Sequence, residues 1–120
     1  MNDIGNMAIS LEASRIADKI TDSGYFKNKS DVLTFAAGFM IKKYYPKFDP
    51  ETYVLDDTNG SNYSFSTFDA DGKWSTLIRA LYPDTDTPYL YLRALMNHGL
   101  LLLGQMLKDN PNYSILSELE

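Results

Sequence analysis

The stretch from Pro88 to Leu107 constrains the fold more than any other. Leu92, Leu95, Met96, Gly99, Leu102, Leu103 and Met106 recur at the spacing of one helical face. Pro88 suits the first turn of that helix. Gly99 and Gly104 each cost helix stability relative to alanine. Two glycines kept inside such a helix are expected to let another helix approach closely.

The rest of the chain supplies further helices. From about Glu12 to Ser23, Ala13, Ile16, Ala17 and Ile20 share a face, while Glu12, Arg15, Asp18, Lys19 and Asp22 take the wet side. Gly24 stands where such a helix stops. A second helix is expected from about Asp31 to Tyr45, with Ser30 as its N-cap and Asp31 complementing the macrodipole. Its apolar residues (Val32, Leu33, Phe35, Ala36, Phe39, Met40, Tyr44) exceed one narrow stripe, which makes it the expected central helix; Pro46 ends it. Trp74 to Leu81 reads as a short helix, and Ser114 to Leu119 as a last turn or two. Before the first helix, Asn6 to Leu11 alternates, with Met7, Ile9 and Leu11 on one side. That is the period of a short strand, or the beginning of the helix that follows, since Met, Ala and Leu are good helix formers. Tyr53-Val54-Leu55 and Tyr63 to Thr67, between turn-rich segments, read as a small hairpin, or as an irregular loop with aromatic anchors. The expectation is a mainly α fold with a minor β element, one compact helical domain over residues 1–120. Residues 1–46 form its N-terminal part and residues 47–120 an acidic, mainly helical C-terminal part.

The chain is long enough to bury a core without staples. It has no cysteine, which excludes disulfides, thiolate metal sites and a cysteine nucleophile. The first residues carry neither a basic flank nor a long apolar run, and the run Leu100 to Leu103 is far too short to span a bilayer. A cytoplasmic protein without membrane contact is expected. Charge is unevenly spread. Residues 1–48 hold seven basic and five acidic groups, a balance of +2, and residues 49–120 hold four basic and eleven acidic, a balance of −7. Such asymmetry suggests different partners for the two halves.

Little in the sequence points to bond-making chemistry. His98 is the one histidine and lies inside the long helix with no second His or Cys to partner it, so a structural or exposed position is expected rather than a functional one. Asp56/Asp57, Asp69/Asp71 and Asp84/Asp86 are acidic pairs in turn-like settings. Setting Gly72 as the invariant glycine of a calcium loop puts Ile78 where a bidentate Glu must stand, so that motif fails. There is no nucleophile elbow, P-loop or dinucleotide fingerprint. The expectation is no enzyme, no catalytic residue, no metal and no cofactor.

Two resemblances bear on function. The first third of the chain, with its alternating segment, helix, Gly turn and second helix, resembles a ribbon–helix–helix unit. In that family two chains pair their strands in the major groove and the second helix holds a phosphate at its N-terminus. The resemblance implies base readers at Asn6, Ala8 and Ser10, a phosphate anchor at Ser30 with Lys27 and Lys29 beside it, and a homodimer. The chain departs from the pattern: no outward strand position is Arg or Lys, and Asp3 and Glu12 nearby are acidic.

The second resemblance spans residues 15–108. Phe26-Lys27-Asn28-Lys29-Ser30-Asp31-Val32-Leu33-Thr34-Phe35-Ala36-Ala37-Gly38 is similar to a segment of small proteins encoded beside DNA phosphorothioation (Dnd) systems. There, a phenylalanine and lysines precede an Asp-Val pair and a Phe-Ala-Ala run. Trp74 to Leu81, followed by Asn97-His98-Gly99-Leu100, is similar to their C-terminal half. This likeness implies a prokaryotic accessory or adaptor protein of DNA modification or phage defence, with another protein of the same system as partner and no catalytic residues carried over. Lys42, Lys43 and Lys47 at the end of the second helix, and Asp84 and Asp86, are the candidate partner contacts. A macrodipole role is the plain alternative for the lysines. A dimeric DNA-binding regulator is the second expectation. An acidic inhibitor or DNA mimic presenting Asp56, Asp57, Asp69, Asp71, Asp84 and Asp86 is the third.

Overall fold

A computed structural model describes residues 3–119 of the chain. The elements run β1 (Asn6–Ala8), α1 (Leu11–Asp22), α2 (Lys29–Tyr44), β2 (Asn62–Ser64), α3 (Ser66–Asp69), α4 (Lys73–Leu81) and α5 (Pro88–Asp109), closed by a 3₁₀ turn (Ile115–Leu119). The fold is mainly α with one two-stranded antiparallel sheet, as the sequence leads one to expect. The radius of gyration is 13.6 Å, the value a single compact chain of this length has. No helix among the described residues is long and apolar enough to cross a membrane.

The hub is α5, not α2. Ten of its residues are buried, among them Leu92, Leu95, Met96, Leu100 and Leu103, and it packs on α2, α1, α4 and β1. Taken alone, the number of apolar residues in α2 favours it as the centre. α2 does bury Val32, Leu33, Ala36, Ala37, Phe39 and Met40, but leaves Tyr44 exposed at its end.

Both glycines of α5 mark close approaches. A Cβ at Gly99 would stand 2.5 Å from the Ala36 carbonyl oxygen and 2.9 Å from Met40 Cγ, so α2 lies directly against the backbone of α5. A Cβ at Gly104 would collide with the Ile16 side chain from α1. At the end of α1, Ser23 and Gly24 donate their amides to the Ile20 and Thr21 carbonyls, with Gly24 at φ 87°. This left-handed stop is the one that glycine favours.

Three helix N-termini are capped from elsewhere in the chain. Asp3 accepts the amides of Tyr89 (2.8 Å) and Leu90 (2.9 Å) at the start of α5, where Thr87 makes no side-chain cap. Asp57 accepts the Leu11 amide at 2.8 Å at the start of α1. Asp69 accepts the amides of Trp74 (2.6 Å) and Ser75 (3.0 Å) at the start of α4, where the N-cap is Gly72. A carboxylate at these ends satisfies orphan amides and complements the helix dipole.

The hairpin expected over 53–67 does not form. β2 pairs with β1, in the register Asn6↔Ser64, Met7↔Tyr63, Ala8↔Asn62, and residues 53–55 have no strand partner. This matches the alternative of a loop with aromatic anchors. Tyr53 packs edge-on against His98 and beside Phe48, while Val54 is 81% exposed.

Candidate functional site

The N-terminal ribbon is closed within the chain. β1 holds three residues, and α1 begins at Leu11. Asn6 is exposed and Ala8 half-buried, but Ser10 is 1% exposed. Ser10 is the N-cap of α1: its Oγ accepts the Ala13 amide at 3.2 Å, and its own amide donates to Asn97 Oδ1 at 2.8 Å. Ser10 is therefore no base reader, and the strand partner of β1 is β2 of the same chain.

The phosphate anchor is corrected in two respects. The N-cap of α2 is Asn28, whose Oδ1 accepts both the Asp31 amide (3.0 Å) and the Ser30 hydroxyl (2.6 Å). Ser30 lies in the first turn, one residue beyond Lys29. The Lys29 ammonium points to α1, donating to Ser14 Oγ (2.7 Å) and Ser61 Oγ (2.6 Å) and pairing with Asp18 (2.8 Å). Ser14 Oγ also accepts the Ser61 amide at 3.2 Å. Both its lone pairs are then used, so its proton goes to Ser61 Oγ, 2.8 Å away. The lysine joins α1, α2 and the segment leading into β2. Of this group, Lys27 is an exposed cation without an ion pair among the described residues.

Among the candidate partner contacts, Lys42, Lys43 and Lys47 are exposed around the C-terminal end of α2. Lys43 pairs with Glu118 at 3.6 Å. Asp84 and Asp86 are exposed in the connector between α4 and α5, on a shallow cleft of about 330 Å³ shared with Glu51 and Tyr91. Asp69, counted in the acidic-surface expectation, is 3% exposed and spent on α4 and on the Tyr89 hydroxyl at 2.8 Å. Burial pushes its carboxyl up, but the hydrogen bonds from Tyr89, Trp74 and Ser75 outweigh this and hold it below the ordinary carboxylate value.

Asn97 and His98 are likewise tied to the frame, whereas the buried Tyr82 hydroxyl and Arg93 Nε have no hydrogen-bond partner among the described residues. Asn97 is fully buried, accepting from the Ser10 amide and donating to the Tyr53 hydroxyl at 2.9 Å. His98 stacks on Phe48 with ring centroids 5.0 Å apart, and burial lowers its pKa. No group of three or more His, Asp or Glu among the described residues is placed to hold a metal ion.

Arg15 and Lys19 have no role in the sequence-based expectation beyond the wet face of the first helix. Both are exposed, and neither forms an ion pair among the described residues. Their spacing of four residues was a visible signal, since it places both on one side of a helix. Comparison of the chain with models of protein families, with curated proteins and with solved structures returned no match.

Proposed function

We propose that this chain is a non-enzymatic accessory or adaptor protein of a prokaryotic DNA-modification or phage-defence system, acting by binding a partner. The observation that carries the binding reading is a set of unpaired cations. Arg15, Lys19, Lys27 and Lys47 are exposed on and beside α1 and α2 and form no ion pair among the described residues. This occurs in a chain whose carboxylates outnumber its cations, 16 to 11. Cations left open under those conditions favour an acidic partner. The system assigned rests on the likeness of residues 26–38, 74–81 and 97–100 to Dnd-associated proteins. The interior supports a binding role too, because Asn97, Asp69 and Lys29 are each engaged in holding elements together.

The test is co-purification of the tagged chain with products of the genes encoded beside its own, at rising salt, alongside gel-shift with duplex DNA. A stoichiometric protein partner released by salt is the expected result. Turnover of a substrate by the purified chain, abolished by replacing His98 or one aspartate, would overturn the reading.

A further inference from the structure

A groove runs between α1 and α5. Its floor is apolar, formed by Ile16, Leu101 and Leu107, and passes over Gly104; its rim carries Arg15, Lys19 and Lys108. The cavity measures about 470 Å³. Lys19 and Leu107 also line a second cavity of about 360 Å³, which continues the trough past Ile20 to Tyr25 and Tyr113. Tyr25 is 58% exposed. Lys108, like Arg15 and Lys19, is exposed and without an ion pair among the described residues. Glu12 is the one acidic residue on this trough.

We infer that this trough docks an acidic amphipathic helix from a partner protein. The assignment rests on the adaptor reading above and supplies the chemistry of its partner. Three features select the occupant. The floor needs apolar side chains, which a nucleic-acid backbone does not offer. The rim needs carboxylates, because three cations face a single Glu12. The trough follows α1 from Glu12 to Ser23, roughly 16 Å at the helical rise, which matches about three turns of a docked helix with anchors at i, i+3 or i+4, and i+7. Tyr25 and Tyr113 at one end have the aromatic character of interface anchors.

The experiment is selection of a displayed random peptide library on the purified full-length protein. The selected peptides are then measured against wild type, Arg15→Glu/Lys19→Glu and Lys108→Glu by fluorescence anisotropy. Arg15, Lys19 and Lys108 are exposed, so the variants are expected to keep the wild-type unfolding midpoint. Enriched peptides should carry Leu or Phe at helical spacing flanked by Asp and Glu, and should lose about tenfold or more in affinity for the charge-reversed proteins. Leu107→Ala should weaken the same peptides without changing their acidic bias. Peptides without acidic bias, or with affinity indifferent to the reversals, would overturn the inference. So would duplex DNA that binds wild type as tightly as the peptides and fails on the same variants, or self-association abolished by the same reversals. The selection uses no host component. Its failure therefore leaves a co-purified partner standing, and its success would survive a failed co-purification.

Discussion

Lys29 shows how a residue that reads as a ligand contact becomes part of the frame. Its ammonium has three partners from two other segments and is one-fifth exposed. The bond to Asp18, whose side chain is 62% exposed, adds little. The bonds to Ser14 and Ser61 are better shielded. Lys29→Met is expected to destabilise the fold by about 2 kcal/mol, measured by urea unfolding, and a variant as stable as wild type would contradict the assignment. Nothing in the sequence announces this role, because Ser14 and Ser61 lie 15 and 32 positions away. The same holds for Asn97, whose partners come from distant segments, and for the bond between Asp69 and Tyr89. His98 reads from the sequence as structural or exposed, and its ring stacks on Phe48. Burial lowers its pKa below 6.5. The unfolded chain therefore takes up a proton that the folded one resists, and this contribution to stability is complete above pH 6.5 and is lost as pH falls toward the lower folded value. Replacing His98 with Phe should flatten the pH dependence of the unfolding free energy just below 6.5; an unchanged slope would place its origin elsewhere.

At the scale of elements, α1, α2, α4 and α5 were legible, while α3 and the connections were not. The apolar period of α5, the glycine stop after α1 and the short α4 are written locally, and the observed bounds differ from the expected ones by a residue or two. The Tyr53-Val54-Leu55 run, one aromatic and two aliphatic residues, looks like a strand whether it pairs or anchors a loop, which is why the hairpin is expected and does not form. β2 instead found its partner at β1, more than fifty residues earlier. N-caps were misplaced for a related reason. Ser30 is a good cap by type, but Asn28 stands two residues earlier and takes the Asp31 amide. Caps supplied by Asp3 and Asp57 lie beyond local reading altogether, while Asp69 caps α4 from five residues before Trp74. The sharpest element-level expectation concerns Gly99. An added Cβ meets α2 backbone, which cannot move aside as a flexible side chain does. Gly99→Ala should cost about 1–3 kcal/mol despite alanine's better helix propensity. A stabilised variant in thermal unfolding would mean that α2 and α5 do not approach this closely.

The molecule as a whole joins the two halves that its charge separates. The sheet pairs a strand of residues 1–46 with one of residues 47–120, and α5 packs against α1 and α2. Carboxylates of the second half are engaged as caps at Asp57 and, buried, at Asp69, while several cations of the first half remain outside without an ion pair among the described residues. Composition revealed the imbalance; tertiary structure was needed to see which charges are spent and which are open. Lys108, 93 positions from Arg15, joins the same trough through the packing of α5 on α1. The proposed binding role turns on whether those open cations engage the partner. The direct measurement is the affinity of the co-purified partner for wild type and for Arg15→Glu/Lys19→Glu/Lys27→Glu/Lys47→Glu, by calorimetry at matched salt. A loss of about tenfold or more, roughly 1.4 kcal/mol, with the unfolding midpoint unchanged, is predicted. Equal affinity for the two proteins would contradict it.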